Sequence, residues 1–199
     1  MTNGALDDLA LADWRERVAR LYTSDLDLAG FRAARDTLFA DHPQSPIPAA
    51  ERAAFGGLRY FAENPDAVVE VPIRAAPATI SIDTGGPDGV VDYRSLGIAD
   101  APFGQLTLWW IEAYGGGLFL PFRDGTCGAE SYGGGRYLTD TVKGTFGRGV
   151  VVLAADRLRL DFNYAYNPSC AYDDRWLCPL APPEDRVEAR IEAGEQAYH

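Results

Sequence analysis

Apolar positions repeat with a helical period at the start of this chain and with a strand period from about residue 56 onward. Leu11, Trp14, Val18 and Leu21 fall at i, i+3, i+7 and i+10, one stripe of a helix, and predict an amphipathic helix over 5–22. Asp27 is placed to cap a second helix with Leu28, Phe31, Ala34 and Leu38 turned inward. That helix has to stop near Asp41, because His42-Pro43-Gln44-Ser45-Pro46 cannot continue it. A short amphipathic stretch over 48–54 follows.

From Gly56 the pattern reads as strands: 58–61, 68–73, 79–82, 91–96, 105–113, 118–122, 136–141, 150–153 and 157–166. Pro87-Asp88-Gly89 and Gly147-Arg148-Gly149 punctuate them as turns. Consecutive strands without intervening helices pair antiparallel, and eight or so tend to curl to protect their edges. The expected fold is α+β: two N-terminal helices packed on an antiparallel, barrel-like β-sheet. A single domain over 1–199 is expected, with a helical segment (1–47), a β-rich core (56–172) and a Pro-rich tail (173–199). The polar end of that tail should wrap the surface.

Composition narrows the function classes. The net charge of −11 makes nucleic acid and anionic membrane poor partners. No run of 18 apolar residues predicts a membrane span, and no secretion signal is visible at the start. Three cysteines, Cys127, Cys170 and Cys178, then read as free thiols of a cytoplasmic protein. Of the 18 basic residues, Lys143 is the one lysine. Acid excess with almost no lysine is compatible with a salt-adapted source. Between Tyr114 and Tyr172 lie Arg123, Arg136, Lys143, Arg148, Arg157 and Arg159 against Asp124, Glu130, Asp140, Asp156 and Asp161. That segment is +1, leaving −12 elsewhere, so it is the region most tolerant of an anion.

Common site signatures are absent: no phosphate loop, no dinucleotide fingerprint, no nucleophile elbow. With His42 the one internal histidine, a multi-histidine metal site is excluded and no metal is expected. Alternation in Leu158–Asn167 would set Arg159, Asp161, Asn163 and Asn167 on one face, and Tyr137, Thr139, Thr141 and Lys143 would share another. Glu112 falls on an apolar face of a central strand, where a buried carboxylate needs a partner such as Arg123 or Arg136. The tyrosines read chiefly as core and turn packing.

Two tracts, Tyr114-Gly115-Gly116-Gly117 and Tyr132-Gly133-Gly134-Gly135, stand 18 residues apart. Glycine triplets cost backbone entropy and are tolerated where φ is positive or where something approaches the backbone closely. They read as turns that aim Arg123 and Arg136.

The runs Tyr114-Gly-Gly-Gly-Leu118-Phe119-Leu120-Pro121-Phe122-Arg123-Asp124 and Asp161-Phe162-Asn163-Tyr164-Ala165-Tyr166-Asn167-Pro168-Ser169-Cys170-Ala171-Tyr172 are long and specific. With Tyr132-Gly-Gly-Gly-Arg136-Tyr137, Asp140-Thr141-Val142-Lys143-Gly144 and Cys178-Pro179-Leu180-Ala181-Pro182-Pro183-Glu184, they resemble the domain-of-unknown-function family numbered 1684. The resemblance implies a soluble prokaryotic protein and supplies no catalytic roles.

The expected function is a pocket for a small polar or anionic molecule, with Arg123, Arg136 and Lys143 supplying charge and Tyr132, Asn163 and Asn167 supplying hydrogen bonds. One alternative is an enzyme using Glu112 or Asp140 as acid/base, or Cys170 as nucleophile. The other is a non-catalytic assembly protein, including a homo-oligomer, paired through exposed strand edges. No cofactor is predicted, and a flavin-binding split barrel enters by architectural analogy alone.

Overall fold

The computed structural model describes residues 3–83 and 89–199, so Pro87 and Asp88 of the expected turn lie outside the described residues. Helix α1 runs Asn3–Tyr22 and α2 runs Leu28–Asp41. Asp27 caps α2 by accepting the Gly30 N–H at 2.7 Å. The buried row of α2 is Phe31, Arg35 and Phe39, whereas Leu28, Ala34 and Leu38 are half-buried. An arginine therefore occupies the centre of an apolar stripe.

Eight strands follow: β1 (Val68–Arg74), β2 (Thr79–Asp83), β3 (Val90–Ala101), β4 (Gly104–Ile111), β5 (Leu118–Phe122), β6 (Arg136–Asp140), β7 (Val150–Ala154) and β8 (Arg157–Asp161). They form one antiparallel sheet in the order β6-β5-β4-β3-β1-β8-β7, with β2 paired to β3. The sheet curls into a half-barrel. Its β6 edge meets the chain just beyond β8, where Tyr137 and Tyr166 exchange N–H···O bonds of 2.8 and 3.0 Å. Strand β4 is central, with Leu106, Thr107, Leu108 and Trp109 buried on alternating faces.

Three sequence expectations change. Residues 58–61 are not a strand; Tyr60 makes one isolated bridge to Glu195. The last strand stops at Asp161, because its Oδ1 accepts the Asn163 N–H at 3.1 Å and turns the chain into a 3-10 segment, Phe162–Tyr164. Asn163 and Asn167 therefore do not share a strand face with Arg159 and Asp161. Strand β6 likewise stops at Asp140, and Thr141–Lys143 form a 3-10 turn, which removes Lys143 from the face of Tyr137 and Thr139.

The tail differs most. It does not wrap the surface but fills the half-barrel. Asp185, Ile191, Ala193 and Glu195 are each at most 1% exposed. Val187, Ile191 and Ala193 join Leu106, Leu120, Phe122, Leu138, Leu160 and Phe162 in the interior cluster. A half-barrel leaves its concave side open to water, and these tail residues supply the apolar surface that closes it. On the other face of the sheet, Tyr22 and Phe31 of the helices pack on Trp109, Phe119, Tyr137 and Tyr166. Among the described residues no helix is long and apolar enough to cross a membrane.

Candidate functional site

A cavity of about 60 Å³ lies where both helices, β6 and the segment after β8 converge. Helix α1 contributes Trp14, Val18 and Tyr22, and α2 contributes Arg35 and Phe39. Tyr137 comes from β6, Lys143 and Thr145 from the turn beyond it, and Tyr166–Ser169 and Tyr172 close the far wall. The walls are thus largely aromatic, with a few polar groups converging between the rings.

Arg35 is 5% exposed, and its Nη1 donates to Glu195 Oε2 at 2.9 Å and to the Tyr60 hydroxyl at 3.2 Å. Burial is the largest single influence and works against its charge, but Glu195 together with Tyr60, Tyr172 and Tyr22 outweighs it and holds the guanidinium pKa above its ordinary range. The Tyr172 hydroxyl donates to Glu195 Oε1, and the Asn167 backbone N–H donates to Oε2 at 3.1 Å. Glu195 thereby has both oxygens satisfied. Asn167 does not: its Nδ2 donates to Gln196 O at 2.8 Å, while its buried Oδ1 has no partner among the described residues. The orientation of that amide follows from its bond to Gln196.

Lys143, half-exposed at the cavity, lies 3.8 Å from Asp140 Oδ2. Asp140 is 3% exposed, and its Oδ1 also lacks a partner among the described residues. Burial raises the Asp140 pKa, with the Lys143 charge opposing it. Burial likewise raises the Tyr22 and Tyr166 hydroxyl pKa values, so both phenols stay neutral.

Of the six expected ligand-binding residues, the fold brings only Lys143 and Asn167 to this cavity. Arg136 is fully buried and engaged: it pairs with Asp124 at 3.1 Å and donates to the carbonyls of Ile191, Ala193 and Glu195. It clamps the tail. Arg123 donates to Gly133 O at 2.7 Å and does not line the cavity. Asn163 ties Asn64 to Asp161 by accepting from the Asn64 N–H and donating to the Asn64 carbonyl and Asp161 Oδ1. Tyr132 points its hydroxyl at Cys170 Sγ, 3.8 Å away, beside an open depression of about 470 Å³. Glu112 is exposed and pairs with Arg94 at 2.9 Å, not with Arg123 or Arg136, because β4 ends one residue before it.

The thiols sort differently from the sequence expectation. The neighbouring Cys170 thiol lowers the Cys178 pKa to about 6, with Lys143 acting in the same direction. Cys170 itself is raised by Cys178 and by burial, so Cys178 is the more readily ionised thiol of the pair. The ring nitrogens of His42 are used by Asp13 and by the Gln44 N–H, each at 3.0 Å. They do not serve Cys170.

The glycine triplets are close-approach devices. A Cβ at Gly116 would stand 2.4 Å from the Trp110 ring, and one at Gly135 would stand 2.6 Å from Phe122 O. Gly135 lets β6 start against β5 and delivers Arg136 into the interior. No phosphate-like cradle is needed to explain them.

Among the described residues, no group of three His, Cys, Asp or Glu could hold a metal ion. The family described as "Protein of unknown function (DUF1684)" matches residues 53–196. This chain belongs to that family. The solution NMR structure of the uncharacterized protein from gene locus rrnAC0354 of Haloarcula marismortui is similar at 36% identity and a TM-score of 0.57, covering 85% of this chain and 91% of that one. No curated protein matches the chain. The DUF1684 match begins after both helices, so Trp14, Tyr22, Arg35 and Phe39 lie outside the matched segment, whereas Lys143, Asn167 and Glu195 lie within it.

Arg35 and Glu195 were missed by sequence reasoning. Arg35 did carry a signal: it stands four residues from both Phe31 and Phe39, inside the apolar row. Glu195 in a polar tail carried none.

Proposed function

We propose that this protein binds a small polar or anionic molecule in the aromatic cavity between the helices and the half-barrel. The observation that carries the reading is the buried, unpartnered Oδ1 of Asn167, a residue that lines the cavity together with Lys143 and Arg35. Buried polar atoms are nearly always satisfied, and an exception on a cavity wall marks where a ligand or water belongs. A water needs roughly 10–15 Å³ measured this way, so a cavity of about 60 Å³ fits about four to six non-hydrogen atoms. At a ceiling near 1.5 kcal/mol per atom, such a ligand binds no tighter than about the micromolar range.

Heteronuclear NMR tests the reading. Titration with small organic anions at millimolar concentration should move the amides of Tyr166, Asn167 and Ser169 saturably. Val18→Phe, which fills the cavity, should abolish those shifts. Saturable shifts elsewhere, or none with any probe, would refute the proposal. A second reading, acid–base chemistry beside the cavity, is favoured by Asp140, the neighbour of Lys143, whose pKa burial raises against the opposing Lys143 charge. It predicts loss of any turnover in Asp140→Asn with ligand binding retained.

A further inference from the structure

The polar groups around the cavity differ in kind, and that difference restricts the ligand. Lys143 Nζ and the Arg35 guanidinium are donors only and carry positive charge. Asn167 Oδ1 is an acceptor only, because its amide nitrogen is committed to Gln196 O. A bare carboxylate answers the cations and leaves Asn167 Oδ1 unmet. A neutral alcohol or amide answers Asn167 and offers no charge to Lys143, the cation left for a ligand once Arg35 is paired with Glu195. Of the other wall groups, the Tyr166 hydroxyl is shared with Thr145 Oγ1 at 3.0 Å and the Tyr137 hydroxyl donates to Pro179 O, while the Tyr22 and Ser169 hydroxyls and the Trp14 indole N–H are neutral groups that add no charge.

Phosphate and sulfate fit poorly. Glu195, which already holds Arg35, and Asp140, 3.8 Å from Lys143, disfavour a dianion. Among the described residues the cavity has no acidic cluster for a metal cation.

Resting on the binding reading above, we infer that the ligand is a small monocarboxylate carrying an O–H or N–H donor on the carbon next to the carboxylate. The carboxylate lies toward Lys143, and the neighbouring donor reaches Asn167 Oδ1. With room for about four to six non-hydrogen atoms, the match is a two- or three-carbon 2-hydroxy acid or its amino counterpart.

The test compares four probes on the intact wild-type chain by calorimetry and NMR: glycolate, acetate, glycolamide and inorganic phosphate. Glycolate should bind about ten- to a hundredfold more tightly than acetate, since acetate leaves a buried acceptor unpaired. Glycolamide, which lacks the charge, should be weaker by a similar factor, and phosphate should be weakest. Lys143→Met changes a half-exposed side chain and should fold normally while losing glycolate at least tenfold. Asn167→Ala should bring glycolate down to the level of acetate; if it melts early, the four-probe ranking on the wild type still decides. Acetate binding as tightly as glycolate overturns this inference and leaves the pocket standing. If no probe binds and only water occupies the cavity, the binding reading itself falls.

Discussion

Asp185 should make the stability of this protein fall as pH rises from 3.8 to about 7. The residue is fully buried at the point where the tail meets β4, and it accepts hydrogen bonds from the Thr107 N–H at 2.5 Å and the Trp109 indole N–H at 2.6 Å. Burial pushes its pKa up from 3.8 to about 7 despite those two donors. Below the unfolded value both states are protonated and no penalty exists. Between the two values the native state holds a proton that the unfolded state has released, so stability declines with pH at about 1.4 kcal/mol per unit. Three units amount to a loss on the order of 4 kcal/mol, complete above the folded pKa. Asp185→Asn removes this titration at its own cost: an amide offers one acceptor to two donors, which costs about 1–3 kcal/mol at acid pH. Urea unfolding from pH 5 to pH 8.5 should show the wild type losing about 3 kcal/mol relative to Asp185→Asn over two of those units. Other carboxylates cancel in the difference, and an unchanged denaturant slope confirms that both chains unfold alike. A gap between the two proteins that stays constant across this range refutes the argument.

Two further predictions concern buried charge and the thiol pair. Arg35→Met strands Glu195 without its cation and should cost about 3–5 kcal/mol in urea unfolding, whereas Arg35→Met combined with Glu195→Gln should recover part of that loss. A single substitution with no measurable cost would show that the pair is not buried as described. Cys178, lowered to about 6 by Cys170, should alkylate with a half-maximal rate near pH 6 in peptide-resolved mass spectrometry, while Cys170 stays unreactive through pH 9. A Cys178 midpoint near pH 8.5, that of an ordinary thiol, would contradict the assignment.

The helices and most strands were legible because each buries one face, and a one-sided face writes its period into the sequence. The α2 cap is an example: Asp27 precedes an apolar row and is found bonded to Gly30 N. What could not be read was the placement of charge. Arg35 and Glu195 are 160 positions apart; Arg35 stands in an apolar row without naming its partner, and Glu195 looks like a surface residue until that partner is known. Arg136 was read as a ligand contact on its proximity to a glycine triplet. The same triplet admits it to the interior, where its partners are tail carbonyls that carry no side-chain signature. The strand reading beyond Asp161 failed for a local reason: an Asp two residues before an Asn can close an Asx turn, and that turn competes with the ladder. At the cavity, Lys143 was legible as the one lysine and Asn167 as part of a polar row, but their meeting depends on two turns that strand alternation does not anticipate.

The tail links these elements into one device. Arg136 and Asp124 anchor it at Ile191, Ala193 and Glu195, and Asp185 pins it to β4. The stretch between those anchors supplies the apolar plug of the half-barrel. The same stretch ends in Glu195, which orients Arg35 and Asn167 on the cavity wall. A ligand held by Lys143, Arg35 and Asn167 therefore stabilises the docked tail by linkage, since a chain with the tail released presents neither Arg35 nor Asn167 in place. Protection of the Ala193 and Glu195 amides against hydrogen exchange should rise with glycolate and not with acetate. The ligand would then be sensed at the far end of the chain, through Glu195, with no movement of the sheet required.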